Sequence, residues 1–305
     1  MGASVSVMNT GAFSQLISRD FKQVFFDAYA RMPSDYESIA NISNMDGAYI
    51  REGQAVGLSA LQAIGEGEPI SYDAFLQGNE KTVTPTDFAL GVAITRNMYD
   101  DDRTGIMKKA MSELGKAAAY TRELAFWDLL NAASVNTTRT GIDGTGLCMA
   151  HTPIDGGTAY SNFAATASSL SMTTLQSGLD NFAKLKNERG IACKMPAKVL
   201  VVPPELRWKA ELLTGSSMNY ENANNEPNTR EVKGLRVVVC PFLSTTTQWH
   251  LLADKSDHDL RFIWRKQLQM QATDDFDSRT AKFMAVMRLA VTFFGWRGVY
   301  TNAGA

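Results

Sequence analysis

Histidine and cysteine are scarce in this chain of 305 residues, with 3 of each. Cys148, Cys193 and Cys240 are odd in number and far apart, which argues against a disulfide framework and fits a reducing compartment. His151, His250 and His258 leave little material for imidazole chemistry or metal ligation. A surplus of charge is lacking as well. Thirty Lys and Arg stand against 32 Asp and Glu, a net charge of −2, so nothing suggests a protein wrapped by nucleic acid. No apolar run reaches the ~20 residues of a membrane-spanning helix; the most apolar stretch, 283–296, contains Arg288. The opening MGASVSVMNTG has neither the basic start nor the apolar centre of a signal peptide. It matches the Met-Gly-x-x-x-Ser myristoylation pattern through Gly2 and Ser6. A pattern this loose arises readily by chance, so the expectation is a soluble cytoplasmic chain with a small-residue leader. Internal repeats and low-complexity tracts are also missing.

What is present suits a globular core: 45% of residues are hydrophobic and 20% charged, with 23 Gly and 9 Pro. These proportions exclude a disordered tail, a collagen-like fibre and a long coiled coil. Residues 12–31 carry Phe13, Leu16, Ile17, Val24, Phe25 and Ala28 near helical spacing, with Pro33 just beyond. They predict an amphipathic helical arm, and no partner helix follows it. Its apolar face must therefore find cover elsewhere in the fold or on another subunit.

Between 54 and 85 the chain is punctuated by Gly57, Gly65, Gly67, Gly78, Pro69 and Pro85. Short strand-like pieces at 69–76 and 81–84, then a return strand at 88–95, predict a long two-armed excursion. An isolated two-stranded hairpin is marginal in water, so this one is either floppy or laid upon a neighbour. A long helix is predicted over 103–134. Asp100, Asp101 and Asp102 supply negative charge and N-caps at its start, and Met107, Met111, Leu114, Ala118, Ala125, Leu129 and Ala132 recur at three- and four-residue steps. At 1.5 Å per residue it would span about 48 Å, a spine for an elongated subunit. Gly115 interrupts it, either because another backbone, such as a sheet beneath, comes close, or because the helix hinges there.

Residues 136–168 are rich in Gly, Thr, Ser and Ala and predict loops with short strands. Regular α/β alternation follows. Thr173 or Thr174 would cap a helix to about Asn187, and 199–202 predicts a buried strand broken by Pro203 and Pro204, with Pro204 opening a helix to Leu213. A polar loop over 215–229 leads to strands at 235–240, 249–253, 260–266 and 282–294.

The chemistry-bearing candidates are few. Cys148 and His151 have C-x-x-H spacing, but no second pair stands at ligand distance; a loop histidine beside a semi-buried thiol is the preferred reading. Gly65-Glu66-Gly67 and Gly144-Thr145-Gly146 are fragments of phosphate loops, better read as turns, and Glu66 and Glu68 would repel a phosphate. Asp274, Asp275 and Asp277 read as a solvated turn between the last strands, the alternative being paired carboxylates for acid–base work or calcium. Trp208, Trp249, Trp264 and Trp296 sit in apolar stretches and predict core or interface packing. With an arm, a long hairpin and a spine but no catalytic constellation, the residues describe a homo-oligomeric structural protein.

The run Glu66–Ala133 (EGEPISYDAFLQGNEKTVTPTDFALGVAITRNMYDDDRTGIMKKAMSELGKAAAYTRELAFWDLLNAA) resembles the extended-loop and spine-helix segment of tailed-bacteriophage major capsid proteins. It is most similar to the Mu-like major head subunit branch of the Hong Kong 97 fold. KVLVVPPELRWKAELLTGS (Lys198–Ser216) resembles that family's axial strand–Pro-Pro–helix, and GLRVVVCPFL, WHLLADK and WRGVYTNAG continue the match in order. The resemblance implies an α+β fold: an N-terminal arm at 1–33, an extended loop at 54–85, an axial domain at 173–255, and a peripheral domain drawn from 34–53, 86–172 and 256–305. It implies a shell subunit of the virion, built in the host bacterial cytoplasm from pentamers and hexamers around double-stranded DNA, with no enzymatic role and no cofactor. Portal and decoration proteins are the implied partners. Some members carry a fused scaffolding region ahead of the arm; the expectation here is a separate scaffold, or none. A nanocompartment shell of the encapsulin type is the alternative, and a hydrolase using Asp274–Asp277 the more distant one. One relative forms a Lys–Asn cross-link between subunits. Lys81 lies in the corresponding loop, but nothing here shows the carboxylate environment that reaction needs, and the cross-link is not carried over.

Overall fold

A computed structural model describes residues 10–134, 139–154, 156–215, 234–275, 277 and 279–304, with side chains of the first helix from Arg19 onward and without that of Asp274. Gly2 and Ser6, the side chains of Phe13, Leu16 and Ile17, and nearly all of the polar loop expected at 215–229 fall outside this description.

In chain order the elements begin with α1 (Thr10–Arg31), β1 (Asn41–Asn44), β2 (Ile50–Val56), β3 (Leu76–Val83), β4 (Thr86–Thr95), α2 (Arg96–Asp100) and α3 (Ile106–Asn131). Next come β5 (Ala150–His151), β6 (Tyr160–Ser161), α4 (Met172–Ala183), β7 (Val199–Val202), α5 (Arg207–Gly215), β8 (Arg236–Val239) and β9 (Trp249–Leu252). Last are the long strands β10 (Leu260–Asp275) and β11 (Thr280–Phe293), and short β12 (Val299–Asn302). The fold is mixed α+β. Its chain divides into two compact units, one of Met1–Ser34, Pro85–Leu124 and Trp264–Ala290, the other of Asp35–Thr84, Ala125–Ile263 and Val291–Ala305.

In the first unit, β4 pairs antiparallel with β11 from Thr280↔Thr95 to Leu289↔Thr86. Phe21, Phe25, Met107, Met111, Leu114 and Phe283 form its core, and Phe21 meets Phe283 edge to face at 5.5 Å. The apolar face of α1 at Phe25 and Ala28 is therefore covered by its own chain, while its first part at Phe13, Leu16 and Ile17 lies outside the described side chains. Gly115 has a physical account here. A methyl at that position would run into the carbonyl oxygen of Phe25 and stand 3.2 Å from Ala28 Cβ. The backbone that comes close is α1, not a sheet.

The long helix is shorter than expected, 26 residues or about 39 Å. Of the three aspartates, only Asp102 caps it, accepting from Ile106 N and Met107 N at 3.1 Å each. Asp100 instead closes α2, which Thr95 caps. At its far end, Asn131 turns outward to bond Phe242 O at 3.0 Å and Ser244 N at 2.9 Å. These side-chain contacts end the helix before the expected Ser134.

The second unit is organised on a sheet ordered β12-β9-β7-β8, with β7 parallel to β8 and antiparallel to β9. All four residues of β7 are buried, and α4 and α5 contribute Leu175, Phe182, Ala210 and Leu213 to the same core as Trp249 and Leu251. Ser171, rather than Thr173 or Thr174, caps α4; Thr174 completes the reciprocal box at N3. Pro204 opens a 3-10 turn, and the α-helix proper begins at Arg207. The last strand, β12, pairs with β9 and so belongs with the sheet of 199–252. β10 also continues nine residues past the expected Lys266, because its polar residues alternate onto an exposed face while the ladder continues.

Candidate functional site

The surface that the fold leaves unfinished is the excursion between β2 and β3. These strands pair from Ile50↔Val83 to Val56↔Leu76, with an irregularity between Gly53 and Ala55. Beyond Val56 the ladder stops, so the strand expected at 69–76 does not form; Gly57–Phe75 carries no regular structure. Its turn is closed by Glu68, whose carboxylate accepts Gly65 N at 3.1 Å, and by Gly67 at φ +85°. Leu61 is 102% exposed and Tyr72 95%, and Leu58, Ile64, Ile70 and Phe75 also stand in solvent.

The excursion's root, by contrast, is tied down. Arg189 reaches across the neck, donating from Nε to Gly57 O at 3.2 Å and from Nη2 to Ala74 O at 3.0 Å and Asp73 Oδ1 at 3.3 Å. One guanidinium thus holds both arms. Asp73 adds a second cross-tie by accepting Ser59 N at 2.8 Å, and this bond, with that from Ala74 N, holds its carboxyl below the usual range. Next to Arg189, Glu188 accepts from Gln54 at 3.0 Å, Arg297 at 2.8 Å and Ile154 N at 3.2 Å. The loop bearing this pair is itself fixed by Asn187 Oδ1, which accepts Arg189 N and Ile191 N.

Lys81, on β3, anchors the other side. Its ammonium donates to Thr140 O at 2.6 Å and to Thr292 Oγ1 and Phe293 O at 2.7 Å each. Burial pushes it down from 10.5 to about 8, opposed by Asp259 and Asp143. Arg261 ties β2 to the same corner through Glu52 and Asp259. Lys81 is thus committed to contacts within its own chain.

The other sequence candidates are not brought together. His151 Nδ1 lies 2.5 Å from Asp143 Oδ2 and 2.8 Å from Thr145 Oγ1, and Nε2 lies 3.3 Å from Leu147 O. With both ring nitrogens engaged and Cys148 buried as a raised-pKa thiol, the C-x-x-H pair has no free ligand set. Among the described residues no group of three or more His, Cys, Asp or Glu is placed to hold a metal. Asp275 pairs with Lys282 at 2.8 Å and Asp277 lies in the exposed turn between β10 and β11. Gly144, at φ +76°, sits in the turn that Asp143 and Thr145 close. Trp249, Trp264 and Trp296 are buried, but Trp208 is 75% exposed on α5, so core packing does not hold for it.

One feature escaped sequence reasoning. A cavity of about 490 Å³ opens beside the neck, lined from five separate stretches that include Gln54, Tyr160, Lys184, Lys186 and Trp296. Trp296 forms its aromatic wall, stacked on His151 at 4.2 Å and Tyr160 at 5.4 Å. Residues so far apart in the chain carry no local signal.

A family model described as phage capsid protein matches residues 79–302. Comparison with curated protein sequences finds no match. Among solved structures, the procapsid of bacteriophage JBD30 is similar at 18% identity and TM-score 0.53, over 96% of this chain and 75% of that one. The capsid of the native GTA particle is similar at 11% identity and TM-score 0.59, over 88% and 90%. The virus-like particle from Pyrococcus furiosus is similar at 9% identity and TM-score 0.52, over 93% and 97%.

Proposed function

The chain belongs to the phage capsid protein family and is a structural subunit of the shell, and on that premise we propose that its excursion is the element by which subunits of an icosahedral head engage one another. One observation carries the reading: apolar side chains stand in solvent on a segment whose neck is clasped by Arg189. Disorder alone would not need a clasp. A segment held at the root and unsatisfied along its length is suited to bury Leu61, Ile64, Ile70 and Tyr72 against another copy. In Hong Kong 97 terms, Gly57–Phe75 and its strands are the extended loop, α3 the spine, α1 the arm, and the β7–β9 sheet with α4 and α5 the core of the axial domain. We assign the chain to the Mu-like branch, with pentamers and hexamers as capsomers, a separate scaffold, a portal and decoration proteins as partners, and a structural rather than enzymatic role. Assembly takes place in the host bacterial cytoplasm.

A net charge of −2 suits a wall that must enclose DNA without adhering to it, since each basic contact with phosphate adds salt-dependent affinity. The rival of the same fold is a compartment with enzyme cargo, and the two differ in what the particle contains. Electron microscopy of the purified chain, with nuclease-protected nucleic acid measured in particles from infected cells, tests the reading. Closed shells protecting DNA are expected. A monodisperse monomer at micromolar concentration under several buffers and with any scaffold supplied would overturn it, and shells that hold protein cargo would favour the compartment.

A further inference from the structure

We propose that the cavity beside the neck receives the acidic turn Glu66–Glu68 of a second copy's excursion, an inference that rests on the shell reading and names its contact. The lining is unequal in its charges. Glu188 is already bonded to Gln54, Arg297 and Ile154 N, and Asp143 to His151 and Thr145. Lys184 and Lys186, on the same rim, are exposed and have no ion pair among the described residues. The rim therefore offers two uncommitted cations above an aromatic wall, with Ile154 half open to solvent beside it.

The turn offers the complement. Glu66 and Glu68 are exposed at its tip, with Ile64 and Ile70 exposed on either side. Acid meets cation, and each isoleucine meets apolar lining. The occupant is not the chain's own turn, which stands in solvent while the cavity beside its root is open. The length suffices as well. Nine residues separate Gly57 from the turn at Glu66, an extended reach of about 30 Å from the clasped neck.

The contact is heterologous, since each copy gives one turn and offers one cavity. Such an interface repeats head to tail and closes into rings when the rotation allows, as a capsomer requires. Exposed ion pairs contribute little individually. The lysines therefore select the partner, and the isoleucines against Ile154 and the half-buried Tyr160 supply most of the affinity. One volume of about 490 Å³ falls within the ordinary range for a binding pocket.

The test is a charge-reversal cycle on the full chain, read by sedimentation and electron microscopy. Lys184→Glu with Lys186→Glu, and separately Glu66→Lys with Glu68→Lys, are expected to lower the assembled fraction at least tenfold at low salt. Combining all four is expected to recover at least half of it. Circular dichroism and urea midpoints should match wild type for the lysine reversals and for Glu66→Lys, whose side chains are exposed. Glu68→Lys also removes the bond from Gly65 N, so Glu66→Lys alone, which should lower assembly in the same direction, controls for the turn. A second readout does not depend on assembly yield. In a Cys193→Ser background, Glu66→Cys with Lys186→Cys should give disulfide-linked oligomers on oxidation of the particles, and neither cysteine alone should. Wild-type shells that tolerate both reversals, a fourfold variant without recovery, or a ladder from Glu66→Cys alone would overturn this contact and leave the shell reading standing. Wild-type protein that never leaves the monomer would overturn both.

Discussion

From Val199 to Val202 every side chain of β7 is buried by its own chain, whereas along Gly57–Phe75 the large apolar side chains face water. Both stretches belong to one unit and both are rich in branched or aromatic residues. Burying a valine or leucine stabilises by about 1.5–3 kcal/mol, and β7 gains this on folding while the excursion does not. If a second copy buries the excursion, the free energy of folding and that of association reside in different segments. Substitutions should be able to separate them.

The largest effect belongs to the finished region. Trp249 is fully buried in the core that contains β7, and Trp249→Ala should cost about 3–5 kcal/mol. Against a total of about 5–15 kcal/mol, the urea midpoint should fall sharply. A loss below 1 kcal/mol would show that this core is not the one that holds the unit together.

Lys81 marks the seam between the two regions. Lys81→Met leaves Thr140 O and Phe293 O without their donor, a loss of about 1–3 kcal/mol. The pH dependence has a definite sign. Burial lowers the folded value from 10.5 to about 8, so between those limits the unfolded chain holds a proton that the folded chain has released. Unfolding then takes up a proton, and stability rises with pH across that window, constant below it. The difference in urea midpoint between wild type and Lys81→Met should therefore widen in favour of wild type from pH 8 to 10. A flat difference would mean that Lys81 keeps an ordinary ammonium.

Gly115→Ala probes a second finished contact, between α1 and α3. Helix propensity alone would favour alanine by about 1 kcal/mol. Displacing the Phe25 carbonyl and Ala28 costs about 1–3 kcal/mol, for a net loss near 1 kcal/mol in thermal melts. A variant equally stable but slow to assemble would reinstate the hinge at this position.

These contrasts also explain what could be read in advance. Helices α1, α3 and α4 and strands β7, β9 and β11 were legible because burial imposes a period that the residues must obey. The excursion was legible from its glycines and prolines. Its clasp was not: Arg189 lies more than a hundred residues from Gly57, and an arginine in a loop has no pattern that distinguishes a tie from a solvated charge. β12 had no signal of its own in the sequence, and only its pairing with β9 reveals it as a strand. Ser171 and Asp102 prevailed over their neighbours through one hydrogen bond's geometry, which composition cannot rank.

The smallest effect on stability should accompany the most complete loss of function. Leu61, Ile64, Ile70 and Tyr72 are exposed and lie outside the buried clusters described above, so replacing each by serine should change the unfolding free energy by no more than about 0.5 kcal/mol per site. The fourfold serine variant keeps Arg189, Lys81 and Arg261 in place, so the neck and root remain tied. If the excursion served only as a surface loop, such a chain would assemble as wild type does. If it carries the association energy, the variant removes apolar surface that only a second copy can bury, and it should remain a folded, soluble monomer or small oligomer. Sedimentation velocity beside circular dichroism distinguishes these outcomes. Normal particles from the serine variant would show that the exposed side chains are not the contact, whatever their number.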